Sequence, residues 1–192
     1  RWMGAVSAFN FSRTTKMLLQ FIVPLLAFGV IIGVNTVAKY DMKPLYYYVV
    51  CVLVQILAFY LSKDKPTITL LIFGVLGMIS MLVGIQTQGT VSTYAFLSGG
   101  LFCSIMWPCI FTLSIAGLGK YTTQGSAFLI MMILGGSIIP PLQGKFADMI
   151  QTSHSNEAGI GIHQSYWVAV VCFAYLALFA LLVKNILKKK GI

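Results

Sequence analysis

Charge is what this sequence has least of. Only 9% of its 192 residues are charged and just four are acidic, while 58% are hydrophobic and the mean hydropathy is +0.90. A soluble domain keeps about a quarter of its residues charged, so the deficit excludes a water-solvated fold and calls for lipid. No Asp, Glu, Lys or Arg stands in the middle of a full apolar run, which excludes an ion or proton relay built from those runs alone. Cysteine is scarce as well. Cys103 and Cys109 are six apart and so fall on opposed faces of one helix, and Cys51 and Cys172 stand alone. The four read as small core residues, not as a disulfide framework. No Ser-His-Asp, Cys-His or Gly-rich phosphate pattern falls in the apolar runs, so no enzyme, no catalytic residue and no cofactor is expected. His154, Glu157 and His163 share a polar stretch, but their spacing fits no compact metal motif, and a solvated loop accounts for them.

What is there is a succession of apolar runs, each bounded by residues that must stay in water. About 20 residues at a 1.5 Å rise cross the hydrocarbon core. On that measure six transmembrane helices are expected, over residues 17–38, 44–62, 66–85, 91–118, 122–147 and 163–187, with the polar "QTQGT" at 86–90 dividing the third from the fourth. The opening "RWMGAVSAFNF" is largely apolar and is expected to be the remnant of a seventh, which makes residues 1–192 the C-terminal piece of a longer polypeptide. The fold class is all-α: a polytopic helical membrane protein embedded in a lipid bilayer.

The net charge of +9 comes from basic residues scattered over loop ends. If six helices alternate in direction, Arg13, Lys16, Lys63, Lys65, Lys120, Lys184 and the tail Lys188, Lys189 and Lys190 share one side, against Lys39, Lys43 and Lys145 on the other. The positive-inside rule then places the C-terminus in the cytoplasm. Scattered loop charges do not make a nucleic-acid patch, and no nucleic-acid partner is expected.

Two runs gather uncharged polar groups. In "GGLFCSIMWPCIFTLSIAG", residues 99–117, Gly100, Ser104, Trp107, Phe111 and Ser114 recur at helical spacing and form one stripe. In "GGSIIPPLQG", residues 135–144, Gly136, Pro140 and Gln143 form another, with Ser137 beside it. Such stripes are read in two ways. Small residues and hydroxyls can simply let helices approach and bond, which is also the reading for Gln55, alone in the second run. Alternatively, Gly135, Gly136, Pro140 and Pro141 break a helix in mid-membrane, which is tolerated only beside protein or a wet cavity. Ser104, Trp107, Phe111 and Gln143 then become candidate substrate-binding residues.

The stretch "FCSIMWPCIFTLSIAGLGKYTTQGSAFLIMMILGGSIIPPLQGKFAD", residues 102–148, resembles the tenth and eleventh helices of sugar transporters of the major facilitator superfamily, in the fucose/galactose/glucose symporter family. "RWMGAVSAFNFSRTTKMLL" is similar to that family's eighth-helix segment. One departure stands between them: where the family pattern has one helix, this chain supplies three, the second of which looks the most peripheral. The resemblance implies the C-terminal half of a secondary transporter whose missing N-terminal half completes the molecule. It implies import of a hexose or 6-deoxyhexose across a bacterial inner membrane, coupled to protons or sodium. The alternatives are a facilitator of another solute, such as a drug or organic anion, and a non-transporting membrane scaffold subunit.

Overall fold

A computed structural model describes residues 13–38, 47–62, 65–154 and 158–190, and every regular element among them is helical. The helices are α1 (Arg13–Val37), α2 (Val49–Leu61), α3 (Pro66–Gln86), α4 (Gly89–Ile115), α5 (Thr122–Met131), α6 (Gly135–Ser153), α7 (Ile160–Ser165) and α8 (Trp167–Lys190). Among the described residues, four stretches are long and apolar enough to cross a membrane: Pro66–Gln86, Gly89–Ile115, Gly119–Ser153 and Ile160–Leu187. Phe21–Val37 and Val49–Leu61 are shorter apolar helices. The expected remnant helix at residues 1–11 lies outside the described residues, as do Lys39, Lys43, Lys63 and Glu157.

Local chemistry sets the helix ends. Pro66 opens α3 from an extended Lys65, a position where the missing N–H has no intrahelical partner to lose. Gly159, at φ +86°, turns the chain into α7, a conformation that costs glycine nothing. The Oε1 of Gln151 accepts the N–H groups of Gly159 and Gly161, each at 3.2 Å, and so holds that turn against the end of α6.

The core is α3 lying between α4 and α8. Leu70 and Phe73 of α3 are fully buried, and the Phe73 ring meets Phe102 of α4 edge-on with centroids 5.9 Å apart. Lipid gives helices no hydrophobic reason to associate, so close packing and interhelical bonds must hold them. Gly74 faces the backbone of Ala177 in α8, where a Cβ would sit 3.3 Å from the Ala177 nitrogen. At Gly77 a Cβ would collide with the Phe173 ring, and at Gly84 with Phe96 of α4. Ser80 of α3 bonds the Ala95 carbonyl and the Ser98 hydroxyl of α4.

Two findings differ from the sequence reading. The second span is not the most peripheral: α2 buries Val52, Gln55, Ile56, Ala58 and Phe59, because a glutamine in lipid must find a partner and α4 provides it. The fifth span is little buried, since α5 buries nothing and α6 only Ala147, and α1 has no buried residue among those described. The lower part of the fifth span follows α4 through a tight turn and its upper part packs on α7. The second difference concerns the break around Gly135, Gly136, Pro140 and Pro141. Helix α6 starts at Gly135 and runs through both prolines, and the irregular element is a three-ten turn at Met132–Leu134 just before the glycines. Each proline removes one i→i−4 bond, from the carbonyls of Gly136 and Ser137, and the exposed helix absorbs both losses without ending.

The contact at Gly74 generates a test. Gly74→Leu is expected to destabilise the full-length protein by about 1–3 kcal/mol through overpacking against α8. Gly29→Leu, in open space on α1, is expected to leave stability nearly unchanged. Thermal melts read by intrinsic tryptophan fluorescence compare the two.

Candidate functional site

The α4 stripe divides between two environments. Ser104 is half-buried, and its Oγ donates to the Leu101 carbonyl at 2.6 Å. It also receives a hydrogen bond from the Gln55 Nε2 at 3.3 Å, while the same Nε2 donates to the Leu101 carbonyl at 3.2 Å. Ser104 therefore faces α2, with both hydroxyl roles occupied. Trp107 is 43% exposed, and no hydrogen bond reaches its indole among the described residues. Phe111 is half-buried on the same stripe. Between them, Pro108 has no N–H to offer the Ser104 carbonyl, and the Thr112 hydroxyl closes back on the Pro108 carbonyl at 2.9 Å. The helix here carries a freed carbonyl next to an open aromatic face.

The second stripe lies elsewhere. Gln143 is half-buried and its Nε2 donates to the Oγ of Ser165 in α7 at 3.3 Å. Ser165 is 2% exposed and passes its own proton to the Ile162 carbonyl at 2.7 Å. Gly136, Pro140 and Pro141 are exposed and Gly135 is half-buried. Ser104 and Gln143 thus have separate partners.

Three cavities among the described residues bear on the site. One of about 240 Å³, between α1, α2 and α4, includes Ser104 and Gln55 in its wall. Another of about 490 Å³ is an apolar groove between α2 and α3. The third, of about 360 Å³, is polar and lies where Gln86, Gln88, Gly159, His163 and Gln164 converge. Trp107, Phe111 and Gln143 line none of the three.

The polar cavity contains contacts that the spacing of residues did not disclose. His163 Nε2 lies 3.0 Å from the Thr87 carbonyl and 3.1 Å from Ser92 Oγ. A carbonyl can only accept, so Nε2 carries the proton and donates it. The ring also stands edge-on to Phe96 at 5.5 Å, and Phe96 stacks on Tyr166 at 4.0 Å. This joins the last span to the turn between α3 and α4, so the polar turn at 86–90 and the segment carrying His163 meet at one end of the bundle. The cysteines are free, with Cys103 exposed and Cys109 buried.

Over 105 residues the chain is 38% identical to a glucose/galactose transporter of Brucella abortus biovar 1, a match covering 55% of this chain and 23% of that one. It is 30% identical over 125 residues to an L-fucose-proton symporter of Haemophilus influenzae, covering 65% of this chain and 28% of the symporter. With an L-fucose-proton symporter of Escherichia coli strain K12 it shares 31% over 120 residues, covering 62% and 25%. The matched stretch thus spans about a quarter of the length of these curated relatives. No family model and no solved structure matches the chain. The chain has homologues among sugar transporters of the group it resembles, and those homologues are transporters, not enzymes.

A double-mutant cycle measures the link between the fifth and last spans. Gln143→Ala, Ser165→Ala and the double change are expected to show a coupling of about 0.5–1.5 kcal/mol in thermal stability, the usual worth of one hydrogen bond.

Proposed function

We propose that this chain forms the C-terminal part of a secondary transporter that carries a hexose or 6-deoxyhexose such as fucose, galactose or glucose across a bacterial inner membrane. Transport runs by alternating access and is coupled to protons or sodium, with the C-terminus cytoplasmic. The observation that carries this reading is the 38% identity to a glucose/galactose transporter, in a chain whose α4 holds an open tryptophan beside a proline in mid-span. The face of a tryptophan stacks on the C–H faces of a pyranose, and an indole N–H without a partner has a hydroxyl to seek. A sugar needs more polar groups than this face supplies, so the N-terminal half of the polypeptide contributes the rest of the site near mid-membrane.

In this reading Phe111 extends the aromatic surface, and Ser104 joins it once its bond from Gln55 is released. Gln143 uses its Oε1, which has no partner among the described residues, to accept a sugar hydroxyl. The three-ten turn, the two glycines and the two prolines together make the fifth span a bending point between inward- and outward-open states.

Uptake of radiolabelled sugars by full-length protein in liposomes tests the proposal. Saturable, gradient-dependent uptake is expected; a scaffold subunit gives none, and a drug or organic-anion carrier gives uptake that sugars do not compete for. Trp107→Ala is expected to weaken apparent sugar affinity by about 1–3 kcal/mol, as for loss of an aromatic anchor, with an unchanged thermal midpoint. Loss of stability with normal affinity in the surviving protein would return Trp107 to helix packing.

A further inference from the structure

The cavity between α1, α2 and α4 has a lining that suits neither sugar nor lipid chains. Its walls are almost wholly apolar, formed by Pro24 and Phe28 of α1, Val52 of α2 and Leu101 of α4, with Gln55 and Ser104 among them. Gln55 is 4% exposed. Its amide orientation is fixed, because the Leu101 carbonyl can only accept and so must face Nε2. That leaves Oε1 as an acceptor on a buried residue with no partner among the described residues. The hydroxyls in the cavity wall have given their protons away: Tyr48 donates to the Leu97 carbonyl at 2.9 Å and Ser104 to the Leu101 carbonyl at 2.6 Å, while the Tyr94 hydroxyl, on a ring 6.4 Å from Tyr48, is buried without a partner but is not part of that wall.

We propose that this cavity binds an apolar, ring-sized molecule bearing a single hydrogen-bond donor, which enters from the bilayer and donates to Gln55 Oε1. Size and polarity select this class. A cavity of about 150 Å³ is enough for benzene, so about 240 Å³ holds a fused or substituted ring. A hexose would bring several hydroxyls to a wall with one open acceptor, and each unpaired hydroxyl is unfavourable when buried. An acyl chain fills the space but leaves Oε1 unpaired. A water molecule needs two to four polar partners; here it could donate but would find no donor to accept from, since the Tyr48 and Ser104 protons are already given to carbonyls, and it would leave most of an apolar space of about 240 Å³ unfilled. An aromatic alcohol meets both requirements, stacking among Phe28 and Tyr48 while its O–H reaches the amide. When bound, it wedges α1 and α2 against the Leu101–Ser104 face of α4, one turn from Trp107. The site is independent of which solute the protein carries.

Full-length protein in lipid nanodiscs, labelled with a diazirine derivative of 2-naphthol and mapped by mass spectrometry, tests the site. Crosslinks are expected in peptides containing residues 23–28, 52–55 or 101–104. Unlabelled 2-naphthol is expected to compete about tenfold better than 2-methylnaphthalene, which has the same shape without the donor, since one hydrogen bond is worth about that factor. Gln55→Leu is expected to erase the tenfold preference while keeping the crosslinks. Ala27→Phe, which adds a ring at an exposed position on the cavity rim, is expected to cut labelling about tenfold and keeps the test open if the Gln55 change impairs folding. Equal competition by the two naphthalenes, or labelling at these peptides that Ala27→Phe leaves unchanged, overturns the proposal and gives the cavity to lipid chains.

Discussion

The rest of the molecule depends on how closely α3 approaches α4 and α8. Helices in lipid gain nothing from hiding apolar surface, so their association rests on contact density and on bonds that lipid cannot offer. Glycine supplies the first by removing side chains where backbones must meet: Gly74 against Ala177, Gly77 against Phe173, Gly84 against Phe96. Serine supplies the second, with Ser80 on the Ala95 carbonyl and Ser92 on the Gly84 carbonyl at 2.8 Å. With these three helices fixed, α4 presents a second face on which α2, and through it α1, can settle.

The polar side chains follow one pattern. Gln55, Ser80, Ser92, Ser104 and Ser165 each donate to a main-chain carbonyl. A helical carbonyl has a second lone pair after its own ladder bond, so every turn of a neighbouring helix offers an acceptor without any special residue. The bonds of Gln55 to Leu101, Ser80 to Ala95 and Ser92 to Gly84 cross between helices and fix the height of one against another, whereas Ser104 and Ser165 bond within their own helices. Each hydroxyl spends its single proton in this arrangement, whereas a carboxamide that donates through Nε2 still holds a separate carbonyl oxygen. Gln55 and Gln143 each keep such an Oε1 without a partner among the described residues.

Much of the architecture was legible because lipid makes harsh demands on sequence. The apolar runs lie on helices, and the run expected over 91–118 is the helix Gly89–Ile115. The opposed faces of Cys103 and Cys109 follow from 3.6 residues per turn. Partners were less legible. A lone Gln55 in an apolar run shows that a partner exists, but Ser104 lies 49 positions away, and nothing local encodes that pairing. The same holds for His163, which the sequence offered as loop polarity and which meets Thr87 across 76 positions. The prolines misled for another reason. Each removes one helical bond, but whether a helix then ends depends on its surroundings, and in α6 it continues, with the irregular turn placed ahead of Gly135.

The seating of α8 on α3 sets an order for biosynthesis. The ribosome delivers α3 and α4 before α8, so the flank of α3 carrying Gly74 and Gly77 enters the bilayer before the helix that covers it. That groove is filled when α8 arrives, bringing Phe173 and Ala177 into it and His163 onto the Thr87 turn. Contacts between neighbours in sequence, α3 with α4, can form early, whereas closure of the core waits for a helix some hundred residues further along the chain.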